Sequence, residues 1–328
     1  MTAHAFLPDA SRLLRRGLAA AAIGLALAAP VQAEVGSIEI IAPAGPGGGY
    51  DQLARAVQAT AEKAGIASDV QVINVPGAGG TIGLAQFVNA QGEGNKLIVA
   101  GLGMVGAIRI NKSPVALDQT TPLARMTGEY QPLVVAADSP IKTLDDLAAK
   151  FRADPGSVTW GGFALGSPDH LISAMTVKAM GGDVSQMNYI VAGAGGEMLA
   201  QVLGGHITVA TGGLNEFAGL IQTGQLRALA ISAPERLPGV DIPTFKEQGY
   251  DVELVNWRGL LARKSVTPEE LAALDAGMSE LVQSDAWKAL LKERGWVDMH
   301  MSSAEFAAFL EAEKVRIGAI LADLGFRD

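Results

Sequence analysis

The chain of 328 residues contains no cysteine, which excludes disulfides, thiolate chemistry and lipid attachment through a cysteine. Histidine is nearly as scarce, with four copies. His170, His206 and His300 are scattered, with no pair at metal-ligand spacing, so no metal site is expected. No Gly-Lys-Ser/Thr occurs, which removes the phosphate-loop NTPases. Beyond residue 33 no apolar run is long enough to cross a bilayer. Charged residues make up only 18% of the chain and aromatics 5%, and the formal net charge is −9. An acidic balance disfavours nucleic acid and anionic membrane surfaces as partners. Catalysis also finds little support. Leu165-Gly166-Ser167-Pro168-Asp169 lacks the second glycine of a nucleophile elbow, and Ser167 with His170 reads as a helix cap and a helix-face residue. No catalytic residue, cofactor or enzymatic activity is expected.

Arg12, Arg15 and Arg16 precede an apolar stretch of thirteen residues, Gly17 to Ala29. Val31-Gln32-Ala33 then places small residues at the −3 and −1 positions of a cleavage site. The stretch is short for a membrane span, so a signal peptide over 1–33, cleaved after Ala33, is expected rather than a retained signal anchor. Arg15-Arg16 leaves the twin-arginine route open, although the flanking residues fit that signal poorly. The expected location is the periplasm. Residues 1–33 carry three arginines and one aspartate, net +2, so the rest of the chain carries −11. About 295 residues remain, enough for two domains with their own cores.

Glycine is abundant, with 40 copies, and it gathers where β-like runs hand over to helical patterns. Ile38–Ala42 leads into Pro43-Ala44-Gly45-Pro46-Gly47-Gly48-Gly49-Tyr50-Asp51, and Val70–Val75 leads into Pro76-Gly77-Ala78-Gly79-Gly80-Thr81. Glycine lets a ligand approach the backbone, and the first-turn N–H groups of a helix have no internal partner. Two such ends facing one crevice make a site for a carboxylate or phosphate without a charged side chain. Asp51 and Thr81 also fit helix caps. Leu97–Ala100 is followed by Gly101-Leu102-Gly103-Met104-Val105-Gly106, a literal G-x-G-x-x-G. It follows the third strand rather than the first, and no acidic strand end comes about 20 residues later, so a third crevice loop is expected, with Met104 at the ligand, rather than a dinucleotide site. Three later turns repeat the pattern: Gly161 to Ser167, Ala192-Gly193-Ala194-Gly195-Gly196-Glu197, and Thr211-Gly212-Gly213-Leu214-Asn215-Glu216.

Further strands are expected at Leu133–Ala137, Val158–Gly161, Asn188–Val191, Ile207–Thr211, Leu226–Ile231 and Val252–Asn256. Helices are expected between them at Asp51–Lys63, Ile82–Asn89, Leu144–Arg152, Asp169–Met180, Met198–Leu203 and Phe217–Thr223. This alternation gives an α/β protein with mostly parallel sheets. Ala137–Ile141 and Asn256–Gly259 look like crossings between lobes. The domain reading is therefore lobe I over 34–137 and 258–328, and lobe II over 138–257, with the crevice between them. Thr267-Pro268-Glu269-Glu270 is a capping box, after which the chain is expected to be purely helical.

The turn Pro43 to Asp51 with Arg55 resembles the opening motif of the periplasmic substrate-binding proteins of tripartite tricarboxylate transporters, the TctC/Bug-like receptors. Asn74-Val75-Pro76-Gly77-Ala78-Gly79-Gly80-Thr81-Ile82-Gly83 resembles their second signature. Gly224-Gln225-Leu226-Arg227-Ala228-Leu229-Ala230, Pro243-Thr244 with Glu247-Gln248-Gly249, and Trp257-Arg258-Gly259 are similar to family patterns in order. The resemblance implies a two-lobed type II Venus-flytrap receptor, monomeric, that closes on a small carboxylate and hands it to a permease of one large and one small membrane subunit, driven by an ion gradient. It implies that Pro46, Gly47, Gly48, Gly80 and Thr81 hold one carboxylate through backbone N–H groups and waters, and that Ser167 with Gly195-Gly196 meets the ligand from lobe II. Tyr50, Gly79, Met104 and Asn215, on the same turns, complete the expected ligand contacts. Pro168 departs from the family pattern and removes one donor. A citrate-like tricarboxylate or dicarboxylate is the leading ligand class. The rivals are a sensing receptor for a membrane signalling protein and, behind it, an exported hydrolase or isomerase.

Overall fold

The computed structural model describes residues 1–2, 36–90, 95–192 and 195–326. Residues 3–33 of the expected signal peptide, with the cleavage point at Ala33, and residues Gly193 and Ala194 of one glycine turn, lie outside them. In chain order the elements are β1 (Ser37–Ala42), α1 (Gly49–Ala64), β2 (Asp69–Asn74), α2 (Thr81–Asn89), β3 (Lys96–Gly101), α3 (Leu102–Ile110), β4 (Thr120–Gly128) and β5 (Pro132–Ala136). Then come α4 (Leu144–Ala153), β6 (Thr159–Gly162), α5 (Pro168–Ala179), β7 (Asn188–Val191), α6 (Gly195–Leu203), β8 (Val209–Thr211), α7 (Leu214–Gln222) and β9 (Leu226–Ile231). The chain finishes with β10 (Arg258–Arg263), α8 (Pro268–Gln283), α9 (Asp285–Arg294), β11 (Val297–Met301) and α10 (Ser303–Asp323).

Local rules account for many boundaries. In α1, Leu53, Ala54, Ala56, Val57 and Ala61 are buried while Gln52, Arg55 and Lys63 face out, the 3.6-residue stripe of a surface helix. Gly65 stops it in the left-handed region at φ 69°, with the Ile66 N–H closing on the Ala61 carbonyl at 2.9 Å. Thr267 and Glu270 form the expected reciprocal capping box, at 3.2 and 2.9 Å.

The strands make two sheets, ordered β11-β4-β10-β3-β1-β2 and β7-β6-β8-β5-β9. Each has a parallel part, β3-β1-β2 and β7-β6-β8, completed by antiparallel strands. The sheets are therefore mixed, and the expected parallel order describes the part that carries the glycine turns. Three strands were not expected. β10 occupies the middle of the first sheet, although its first two residues, Arg258 and Gly259, belong to the expected crossing Asn256–Gly259. β4 contains Pro122, which sits at a register shift against β10, where a missing N–H is tolerated. β11 is a polar edge strand, so the chain after Thr267 is not purely helical. Conversely, Val252–Asn256 makes only an isolated bridge, Val255 with Tyr130.

That bridge lies within the passage between the two sheets. Glu129 and Asn256 exchange backbone hydrogen bonds of 3.2 and 2.9 Å, so two antiparallel segments connect the halves. β5 belongs to the second sheet, and the change of sheet falls between Gly128 and Pro132, earlier than Ala137. Ala137–Ile141 is instead a turn held by Arg227, whose guanidinium donates to the carbonyls of Ala137, Ser139 and Ile141 at 2.7–3.2 Å. One core, built around Leu53, Val57, Leu97, Val99, Leu260 and Trp287, lies on one face of the first sheet. A second runs without a break from Phe87 and Ile98 through Trp257 and Phe306 to Leu133 and Trp160 of the other sheet. The C-terminal helix α10 follows this second core across both lobes. The Trp257 indole donates to Glu313 at 3.0 Å, Asp323 pairs with Lys178 of α5 at 2.5 Å, and the Phe326 ring lies 6.2 Å from that of His170.

Candidate functional site

The first turn is fastened by Asp51, which is 2% exposed. Its carboxylate accepts from the Gly47 N–H at 2.8 Å, Asn74 Nδ2 at 2.8 Å and Arg55 Nε at 3.0 Å. Burial raises its pKa, but these hydrogen bonds outweigh burial and hold it below the ordinary carboxylate range. Gly47 takes φ 82°. The Gly48 N–H donates to the Gly45 carbonyl at 3.0 Å. The amides of Gly47 and Gly48, expected to face a ligand, are thus engaged within the chain, and Pro46 has none. The α1 donors left without an i−4 acceptor are those of Gly49, Tyr50 and Asp51, since the ladder begins with the Gln52 N–H on the Gly48 carbonyl at 2.9 Å.

The second turn runs through four consecutive positive φ values: Gly77 132°, Ala78 48°, Gly79 64° and Gly80 97°. Only glycine takes such a path cheaply. The Ala78 carbonyl accepts from Thr81 Oγ1 and from Asn111 Nδ2, each at 2.9 Å. The Gly80 N–H donates to Gly77. Thr81 and Gly80 therefore hold the turn together, another change from the expected ligand role. The third turn meets the first two through Tyr50. A Cβ added at Gly80, Gly101 or Gly103 would come within 3.0–3.4 Å of the Tyr50 ring or its hydroxyl, and the one at Gly80 within 2.9 Å of Met104 Cε. Burial pushes the Tyr50 phenol up to about 12. Tyr50, Gly80 and Met104 pack together, and Met104, expected at the ligand, is fully buried as packing.

The G-x-G-x-x-G serves contact between lobes. A Cβ at Gly106 would run into the Gly166 carbonyl, and one at Gly103 would reach 3.7 Å from Pro168 Cδ. On the second lobe, the Ser167 N–H bonds to Ala164, and its hydroxyl accepts from the His170 N–H at 3.4 Å and donates to Asp169 Oδ2 at 3.2 Å. Ser167 is an N-cap. Asp169 is 2% exposed and also accepts from the Phe163 N–H at 3.0 Å and Gln131 Nε2 at 2.8 Å. Burial raises it to about 6. Gly195 and Gly196 open α6, with Gly195 directed at Glu216. Asn215 donates to the Arg294 carbonyl on the first lobe, so it joins the lobes.

Arg258, Glu129, Glu216 and Gln131 were not among the expected ligand contacts. Arg258, 8% exposed, enters beside α1: a Cβ at Gly49 would be 2.7 Å from its Nη2. Nη2 pairs with Glu129 at 3.1 Å, and the guanidinium lies 5.7 Å from the Trp296 ring. Nη1 is buried and has no hydrogen-bond partner among the described residues. Glu216 accepts from the Gly213 N–H at 3.1 Å and is raised to about 7, first by burial and then by Asp169 and Glu129, against the pull of Arg258. Gln131 completes the group. Arg125 and Arg227 are both committed to backbone carbonyls, Arg125 to Met299 at 2.8 Å.

Residues 53–326 match the model of the tripartite tricarboxylate transporter family receptor, TctC. The chain belongs to that family. This TctC receptor is 28% identical to Protein BugT of Bordetella pertussis over 312 residues, 91% of this chain and 93% of BugT. It resembles a TctC solute-binding protein from Polaromonas at 27% identity and a TM-score of 0.72, covering 88% of this chain and 99% of that one. It shares the fold of MatC from Rhodopseudomonas palustris, solved with bound malate, at 23% identity and a TM-score of 0.74, over 87% of this chain and 99% of MatC. The TctC receptor thus has the two-lobed α/β architecture of periplasmic binding proteins and is a solute-binding receptor, not an enzyme. No helix among its described residues is long and apolar enough to cross a membrane.

Proposed function

We propose that this receptor binds a small carboxylate between its two lobes, in the periplasm after removal of residues 1–33, and delivers it as a monomer to an ion-coupled transporter with one large and one small membrane subunit. The lobes are 34–137 with 258–328, and 138–257, adjusted so that β5 goes with the second sheet. One observation carries the reading. The uncapped amides at the start of α1 and the Arg258 guanidinium, with Nη1 unpartnered, converge beside Gly49 where the lobes meet. A helix N-terminus and an arginine side by side suit a carboxylate. Pro46, Gly47, Gly48, Gly79, Gly80 and Thr81 shape the turns that present it. Tyr50 and Met104 fix those turns against one another, and Ser167, Gly195, Gly196 and Asn215 close the second side. A di- or tricarboxylate of the citrate or malate kind satisfies the first lobe; the second lobe is more demanding.

Thermal melting of the purified receptor with a panel of carboxylates and amino acids tests this. A ligand at about 100 times its dissociation constant adds about 2.7 kcal/mol, a rise of several degrees for a chain of this size. A panel in which no carboxylate moves the midpoint sinks the reading.

A further inference from the structure

The two sides of the ligand region carry opposite charge. On the first lobe stand the positive end of α1 and Arg258. On the second, a ligand carboxylate would be expected at the start of α6 or α7, yet a side chain of the protein already stands there. Glu216 Oε2 accepts from the Gly213 N–H at 3.1 Å, and a Cβ at Gly195 would lie 3.6 Å from its Oε1. The acid thus takes the place over the start of α7, and stands near Gly195 at the start of α6, where a negative ligand group would gain from the dipole. Glu129, next to Gly213, and Asp169 add to the negative side, and Arg258 is the cation that offsets them. A second carboxylate on the ligand would meet like charge, which costs free energy at such separations. An independent observation points the same way. Gln131, 3% exposed, donates its amide N–H to Asp169 Oδ1, and its Oε1 is buried with no partner among the described residues. That acceptor, beside an acid, calls for a hydrogen-bond donor.

We infer that the ligand is a zwitterion: a carboxylate held by α1 and Arg258, and a protonated amine held by Glu216 with Gln131 Oε1 at the far end. This rests on the carboxylate reading above and narrows it. Polarity follows directly, because the ammonium cannot reverse places with the carboxylate without setting like charge on both lobes. Proton linkage follows too. An ammonium beside Glu216 favours its ionised form, so binding near neutral pH releases protons; a second carboxylate there would take protons up. The charged groups facing Glu216 are Asp169, Glu129 and Arg258, none of which changes that sign.

Matched pairs on the intact receptor test the inference: β-alanine against malonate, γ-aminobutyrate against succinate, and δ-aminovalerate against glutarate, by calorimetry in two buffers of different ionisation enthalpy. The expected result is at least about tenfold tighter binding of the amino member of the best-fitting pair, with proton release. Glu216→Gln should erase that preference and the proton release together. A dicarboxylate that binds as tightly as its amino partner, or with proton uptake, overturns the inference while leaving the carboxylate reading standing. Binding by none of the six overturns the inference, while the wider carboxylate panel still decides the reading it rests on. If Glu216→Gln does not fold, the affinity difference within each pair on the unaltered receptor decides.

Discussion

Arg258 opens β10 and reaches Glu129, the Gly49 backbone and the Trp296 ring at once. Both partners of the ion pair are nearly buried, with side chains 10% and 9% exposed. Removing one partner of such a pair strands the other charge, at a cost of about 3–5 kcal/mol. Glu129→Gln should therefore destabilise the receptor by about that amount in urea unfolding, and Glu129→Leu with Arg258→Met should recover much of the loss. Two neighbours in α5 make a prediction in pH. Asp169 is raised by burial from 3.8 to about 6, so it is protonated in the fold when already ionised in the unfolded chain, and stability falls as pH rises through that window. His170 is lowered by burial from 6.5 to about 4, so the unfolded chain binds the extra proton, and stability rises with pH from about 4 to 6.5. The two slopes oppose each other. Asp169→Asn should leave a rising stability between about pH 4 and 6, and His170→Gln a falling one, in thermal melts. Equal slopes in both variants would contradict the assignment.

Among the elements, the glycine turns and capping boxes were legible because their signals are local: a few adjacent residues decide a positive φ or an N-cap. The turns also had a hidden partner. Asp51 answers the Gly47 amide from four residues away and the Gly45 carbonyl answers that of Gly48, so the expected open donors shift two residues along, to those beginning at Gly49. The Arg258–Glu129 pair was not legible, because it joins residues 129 apart through the pairing of β4 with β10. β10 itself was missed because its two charged ends hide a fully buried Leu260-Leu261-Ala262. The G-x-G-x-x-G found its meaning in contact between lobes. Gly106→Val places a side chain where the Gly166 carbonyl sits and should hold the lobes apart. Small-angle scattering should show a larger radius of gyration for this variant than for the unaltered receptor, with unchanged circular dichroism. An unchanged radius would show that this contact does not set closure.

At the scale of the molecule, two paired segments and one long helix connect the lobes. Glu129 and Asn256 pair in the passage, while α10 starts on the first sheet, where Ser303 bonds to the Pro122 carbonyl at 2.8 Å, and ends on α5. Fold class was readable from the alternation of strands, turns and helices, and the family from motifs such as Pro43 to Asp51 and Asn74 to Gly83. The exact point of crossing was not, since a strand such as β5 carries no mark of which sheet it will join.

The reach of α10 has a mechanical consequence. Whatever prises the two halves apart must flex this helix or unseat Phe326 and Asp323 from α5. The last helix of the polypeptide, remote in sequence from the glycine turns, therefore fastens the second sheet's α5 to the first sheet like a clasp.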